Sequence, residues 1–205
     1  MQRPVTGLTD FPPRRRIGIR GRGLILRPDG GGPLVWSWAR WSLIPPGAKE
    51  PSAYPLNNAR SDKLGGWPWK AVARRRCLIP VSGFWEPEKP ARAPGNAPWS
   101  YYSMQDGRPF FVAGLWSDAP DPTTGEIADS YTMVIGEANA VMRVHDRMPA
   151  ILGTDAAHRW LEPGPLPAEL LVPYPAEEMQ AWRVGDDAKS SRIEPHPGMA
   201  EAVAG

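Results

Sequence analysis

The sequence predicts an α+β fold, built on a mainly antiparallel, barrel-like β-sheet with a few short flanking helices. The chain has 26 prolines and 21 glycines in 205 residues, which disfavours long helices and favours short strands joined by turns. Short apolar stretches recur between these turn signals, as in a sheet of many short strands. A chain of this length can bury a sizeable core and fits one domain.

The first predicted element is a β-hairpin. Residues 24–28 and 34–44 are expected to pair around the glycine-rich turn at residues 29–33. A proline-rich loop follows. The next predicted elements are a short helix over residues 67–76 and buried strand pieces at 77–80 and 83–85.

The second half is predicted to contain another hairpin and two helices. Residues 99–104 and 109–116 are expected to pair around Asp106-Gly107, and residues 131–135 are expected to form a strand. Thr154 is predicted to cap a helix that ends at Leu161. A second short helix is predicted over residues 176–182.

The charge is distributed unevenly over a chain whose net charge is only +2. Residues 1–76 contain 15 Lys/Arg and 4 Asp/Glu, whereas residues 77–205 contain 9 and 18. This asymmetry is typical of a protein with one positive face for nucleic acid. Pairing of the basic half with the acidic half of the same chain explains it equally well. The run Arg14-Arg15-Arg16 is either a nonspecific attractant or a solvated charge cluster.

Three short segments carry most of the chemistry. They are residues 58–60 (Asn-Ala-Arg), residues 74–86, which end at Glu86, and residues 145–149 (His-Asp-Arg-Met-Pro). Together they offer a carboxylate, an imidazole, an amide and guanidinium groups. These are the groups needed for acid–base chemistry beside a phosphate-rich ligand. Taken alone, Glu86 is better explained by an ion pair with one arginine of the Arg74–Arg76 run than by a catalytic role.

Five motifs in order resemble the SOS response-associated peptidase (SRAP) family. They are Arg-Trp-Ser-Leu-Ile-Pro at residues 40–45, Asn-Ala-Arg-Ser-Asp at 58–62, the Cys-Leu-Ile-Pro motif at 77–86, a Phe-rich strand at 110–116, and His-Asp-Arg-Met-Pro at 145–149. The resemblance covers roughly residues 34–185, which we take as the domain. Residues 1–33 are then a basic, irregular and apparently truncated N-terminal segment, and residues 186–205 a polar tail.

The resemblance implies a role for each candidate residue. Glu86 and His145 match the acid–base groups of the family, and Asn58 would hydrogen-bond the nucleophile or the deoxyribose. Arg60 and Arg147 match its phosphate-binding arginines. The implied partner is single-stranded DNA that contains abasic sites, bound by a cytoplasmic monomer without cofactor or metal.

The start of the chain departs from the family. The resemblance implies an N-terminal cysteine whose α-amine condenses with the sugar aldehyde and whose thiol closes a thiazolidine. The sequence given begins Met1-Gln2-Arg3, so that crosslink is not expected from it. Either the true start lies upstream or the nucleophile has been lost. Cys77, the single cysteine, lies in an apolar stretch and is predicted to be a buried core residue.

Two alternatives remain open. A non-catalytic relative would hold single-stranded or junction DNA through Arg60, Arg147 and aromatic rings, with no dependence on Glu86. A peptide-processing enzyme is the other, although no Ser/His/Asp order supports it. The histidines are scattered and no cysteine cluster exists, so no metal site is expected. No apolar run reaches the length of a membrane span.

Overall fold

The structure is a computed structural model that describes residues 3–4, 17–30, 32–88, 99–184 and 200–202. Short strands dominate this part of the chain, as the proline and glycine content predicts. The strands are β1 (Arg3–Pro4), β2 (Arg22–Pro28), β3 (Leu34–Trp41), β4 (Asn58–Arg60), β5 (Arg76–Val81), β6 (Phe84–Pro87), β7 (Trp99–Met104), β8 (Phe110–Ser117), β9 (Ser130–Glu137), β10 (Arg147–Pro149), β11 (Ile151–Leu152), β12 (Met179–Val184) and β13 (Ala200–Ala202). The helices are α1 (Thr154–Leu161) and the 3-10 turns η1 (Ser61–Lys63), η2 (Trp69–Val72), η3 (Ala168–Leu170) and η4 (Ala176–Glu178).

The main sheet is mixed but mostly antiparallel. Its strands follow the order β1-β3-β2-β5-β8-β9-β10, with β11 on β8 and β4 on β9. A parallel pairing of β3 with β9 closes β3, β2, β5, β8 and β9 into a ring. The predicted hairpin is confirmed, since β2 and β3 pair from Arg22↔Arg40 to Pro28↔Leu34. The α+β, mainly antiparallel class is confirmed as well.

A second sheet of four strands, in the order β13-β12-β7-β6, packs against the first. Alternation along β5 shows how the layers are held. Leu78 belongs to a core cluster with Trp160 of α1, whereas Cys77 and Ile79 belong to a cluster with Phe84 and Tyr102 of the second sheet. The main sheet therefore has α1 on one side and the second sheet on the other.

The second predicted hairpin is wrong. A turn does follow β7, where Gly107 N donates to Met104 O at 3.1 Å and Gly107 has φ +71°. However, β7 pairs with β6 and β12, while β8 pairs with β5, β9 and β11. The turn therefore carries the chain from one sheet to the other.

Three helix predictions need correction. Residues 176–182 form only the short turn η4 before the strand β12, because Trp182 alternates outward to stack on Tyr101 while Met179 faces the core. In residues 67–76 the predicted helix is reduced to the short turn η2, and Arg76 already begins β5. The helix α1 has the predicted bounds, but its N-cap is Gly153 rather than Thr154, and no side chain caps it.

Candidate acid–base and phosphate-binding site

Glu86 lies on β6, at the edge of the second sheet. Phe84 is in register with Tyr102, and the two rings stack with centroids 5.1 Å apart. Since residues two apart along a strand share a face, Glu86 lies on the same face as Phe84, with Ser100 in register opposite it. The stacked rings therefore fix the strand that presents the carboxylate, whose side chain is 30% exposed.

His145 lies in the loop that joins β9 to β10. The loop is closed by a hydrogen bond from Ala138 N to Asp146 O at 3.1 Å. Asn139 holds it from inside: its Oδ1 accepts from Val141 N at 3.1 Å and its Nδ2 donates to Tyr174 O at 2.7 Å. These bonds hold the loop segment that carries the imidazole.

The structure brings Glu86 and His145 together. His145 Nε2 lies 3.4 Å from Glu86 Oε2, and the histidine side chain is 18% exposed. The carboxylate comes from one sheet and the imidazole from a loop of the other, so the pair forms only when the sheets are docked. A partly buried carboxylate–imidazole pair can accept and donate protons near neutral pH.

Tyr102, which the sequence did not single out, lies diagonally across from Glu86 on the neighbouring strand β7. Its side chain is 2% exposed. Burial, and after it the nearby charges of Glu86 and Glu88, raise the pKa of the Tyr102 phenol. Only the β6–β7 register reveals this proximity, because in the sequence Tyr102 is indistinguishable from a core aromatic residue.

Asn58 and Arg60 lie on β4, which runs parallel to β9. Ala59 between them is fully buried, so Asn58 and Arg60 both point to the exposed face. Asn58 is in register with Met133, whose side chain belongs to the same core cluster as Phe84 and Tyr102. The amide therefore lies at the border of the cluster that supports Glu86.

Arg60 and Arg147 meet at Asp62. Arg60 makes a two-pronged contact with this carboxylate, through Nε at 3.0 Å and Nη2 at 2.7 Å. Arg147 Nη2 lies 3.9 Å from Asp62 Oδ2. The hydrogen bonds from Arg60, with the charges of both arginines, lower the pKa of Asp62 to about 2. The charge of Asp146 also acts on Arg60, so two guanidiniums lie among two carboxylates. Guanidinium groups at this exposed edge can pair with phosphate.

The basic run before Cys77 is engaged away from Glu86. Arg75 makes a two-pronged ion pair with Asp118, at 2.5 and 2.7 Å. Arg76 is buried and donates to backbone carbonyls at the end of α1, among them Trp160 O. The alternative pairing of Glu86 with these two arginines is therefore not what the structure shows.

Cys77 is fully buried in β5, as predicted. Burial raises the pKa of its thiol far above the ordinary value. A thiol that is neither exposed nor readily ionised cannot act as a nucleophile in the folded protein.

Residues 1–2 and the run Arg14-Arg15-Arg16 lie outside the described residues. Within the described residues, no group of three His, Cys, Asp or Glu side chains is placed to hold a metal ion.

The described helices are all too short or too polar to cross a membrane.

The sequence model of the SOS response associated peptidase (SRAP) family matches residues 6–191. Abasic site processing protein YoqW of Bacillus subtilis (strain 168) is 32% identical over 161 residues, covering 75% of this chain and 70% of YoqW. Abasic site processing protein HMCES of Xenopus tropicalis is 30% identical over 183 residues, covering 75% of this chain and 53% of HMCES.

Solved structures share the fold. A protein from Bacteroides thetaiotaomicron superposes with a TM-score of 0.72 at 24% identity, covering 90% of this chain and 82% of that one. A protein from Bordetella bronchiseptica superposes with a TM-score of 0.66 at 29% identity, covering 81% and 85%. With the family match over most of its length, the chain belongs to the SOS response associated peptidase (SRAP) family.

Proposed function

We propose that this protein processes abasic sites in single-stranded DNA, with Glu86 and His145 as its acid–base pair. The observation that carries the proposal is the 3.4 Å contact between these side chains in a chain of this family. Relatives that cover three quarters of the chain are named abasic site processing proteins. An abasic deoxyribose has no base for a protein to read, so its recognition must rest on the sugar and its phosphates.

The acid–base pair suits the opening of the abasic sugar ring. One residue of the pair donates a proton to the ring oxygen O4′ as the bond between C1′ and O4′ breaks. The other residue accepts the proton of the C1′ hydroxyl. The product is the open-chain aldehyde, and no proton is lost or gained overall. A protein amine can then add to C1′, and water leaves as the imine forms, with the same pair moving the protons.

The arginines suit the phosphates on either side of that sugar. Arg147 follows His145 by two residues, so the segment that carries the imidazole also carries a phosphate-binding group. Guanidinium pairing with phosphate seats the strand without reading its sequence. Asn58, which shares the exposed face of β4 with Arg60, is assigned to the sugar hydroxyls.

The test is a denaturing gel of protein mixed with single-stranded DNA that carries one abasic site, with and without borohydride. Glu86→Gln and His145→Ala should each remove adduct and strand cleavage, since either change breaks the pair. Glu88→Gln and His158→Ala are the matched controls. Glu88 bonds instead to Ser100 and Arg183, and His158 lies exposed on α1. Full activity of both Glu86→Gln and His145→Ala would refute the proposed chemistry.

A second candidate function is a module that binds single-stranded DNA without chemistry. It is favoured by one observation: Cys77, the single cysteine of the sequence given, is buried, so no accessible thiol is at hand to trap an imine. A Gln2→Cys variant whose Met1 has been removed, so that one residue carries both a free α-amine and a thiol, distinguishes the two candidate functions. A stable adduct with that variant alone would indicate a competent pocket without its thiol. Retention of DNA on a native gel with no adduct in either protein would favour the binding module.

A further inference from the structure

Trp67 is a large apolar side chain presented to solvent. It is 70% exposed, whereas Leu64 and Trp69 on either side of it are 2% and 9% exposed and belong to the core. The turn is also fixed by backbone hydrogen bonds, from Gly66 N to Lys63 O at 3.0 Å and from Lys70 N to Gly66 O at 2.8 Å. The segment that carries Trp67 is therefore fixed on both sides by buried residues and within the turn by hydrogen bonds.

The surroundings of Trp67 are basic. Lys63 and Lys70, which are linked to its turn by those hydrogen bonds, are both exposed. Within the part of the chain that the structure describes, neither lysine has a carboxylate within 4.0 Å. The turn that carries the indole is thus flanked along the chain by two exposed lysines that make no ion pair within the described residues.

Trp67 also lies close to the arginine pair. The turn η1 starts directly after Arg60 and packs on β9 near Gly136, where Ser61 Oγ approaches. A three-residue 3-10 turn and one tight turn separate Arg60 from Trp67, so their Cα atoms are less than about 20 Å apart. A single strand of several nucleotides covers such a distance, since sites for unpaired strands span about 4–16 nucleotides.

The chemistry around Trp67 selects one kind of partner. A protein partner would be expected to meet a continuous apolar patch, whereas Trp67 is bordered by lysines and glycines. A polyanion with flat apolar faces fits both the indole and the ammonium groups. Unpaired nucleobases stack on exposed aromatic rings while basic side chains follow their phosphates. We propose that Trp67 is a stacking platform for a nucleobase near the abasic site, flanked by phosphate contacts from Lys63 and Lys70.

This assignment rests on the proposed function, and binding measurements can separate the two. Fluorescence anisotropy would use labelled single-stranded DNA with a non-reactive tetrahydrofuran abasic analogue, so that chemistry does not enter. Trp67→Ala should weaken binding roughly 5- to 150-fold, the range for loss of one base–aromatic stack. Trp67→Phe keeps a ring and should retain most of the affinity. Trp38→Ala, a change of another exposed tryptophan on β3, is the matched control.

The salt dependence distinguishes stacking from charge. Trp67→Ala should leave the slope of log affinity against log salt unchanged, whereas Lys63→Gln should reduce its magnitude by about 0.7. Equal binding by Trp67→Ala and the wild type would overturn the stacking assignment and leave the proposed function standing. No binding of single-stranded DNA by the wild type would overturn both. Since Trp67 is exposed, thermal unfolding of Trp67→Ala should match the wild type.

Discussion

The buried side chain of Arg76 should contribute more to the stability of the fold than most other single side chains. Arg76 is 4% exposed and donates to Trp160 O at 2.5 Å, Ala73 O at 3.1 Å and Gly164 O at 3.2 Å, and also to Glu162 O. It thereby binds carbonyl groups at the C-terminal end of α1, which favours a cation. Burial, with a contribution from the charge of Arg74, lowers its pKa from the ordinary value.

Replacement of Arg76 by Met keeps much of the volume and removes every donor. Hydrogen bonds to a charged group contribute about 1.5–3 kcal/mol each, so four would sum to roughly 6–12 kcal/mol. The substitution also removes the cost of burying the charge, which offsets part of that sum. We expect the free energy of unfolding to fall by about 3–5 kcal/mol, the range for breaking a buried charged contact. In a domain of this size Tm should then fall by about 6–20 °C.

Thermal and urea unfolding followed by circular dichroism would measure this loss. Arg74→Met is the matched control, since Arg74 is exposed and lies two residues before Arg76. Arg76→Lys should be intermediate, because one ammonium group cannot reach all four carbonyls that a planar guanidinium spans. If Arg76→Met unfolds within about 0.5 kcal/mol of Arg74→Met, the assigned role of these hydrogen bonds is wrong.

The remaining predictions concern Asp62, Cys77 and Gly83. The pKa of Asp62 is about 2 in the fold against an ordinary 3.8, so its contacts stabilise the protein above about pH 4 and are lost as pH falls towards 2. In Asp62→Asn, the free energy of unfolding should therefore fall less steeply between about pH 4 and pH 2 than in the wild type. The Cys77 thiol should resist a thiol reagent such as dithionitrobenzoate in the native state and react on unfolding, which a colorimetric assay measures. A Cβ at Gly83 would lie 2.2 Å from the Tyr101 hydroxyl and 2.5 Å from the Tyr102 carbonyl, so Gly83→Ala should cost about 1–3 kcal/mol in urea unfolding and shift β6.

Local sequence signals predicted where strands and helices lie better than they predicted which strands pair with each other. The hairpin of β2 and β3, the buried strand around Cys77 and the bounds of α1 follow from turn residues and apolar runs within each segment. The chain turns after β7 as predicted, yet β7 and β8 lie in different sheets, because strand pairing is decided by contacts far along the chain. Residues 179–184 form a strand for the same reason: stacking of Trp182 on Tyr101 outweighs local helix preference.

The candidate site divides in the same way. The order and spacing of the motifs predicted four of the site residues. The structure brings Glu86 together with His145, and Arg60 together with Arg147. The bridging role of Asp62 between the arginines could not be predicted, since it depends on where η1 lies against β10. The proximity of Tyr102 to Glu86 likewise depends on the register of two strands that a loop separates.

Part of the basic charge in the described residues of the first half is paired within the chain. Three acidic residues in the segment 118–129 form ion pairs with arginines of the first half: Asp118 with Arg75, Asp121 with Arg40, and Asp129 with Arg27. The guanidiniums of Arg27 and Arg75 also both lie over the Trp116 ring, 4.0 and 4.3 Å from its centroid. These cations hold the fold together, as the intramolecular explanation of the charge asymmetry expects. Among the described residues, Arg60, Arg147, Lys63 and Lys70 are cations that a DNA path could follow beside the acid–base pair.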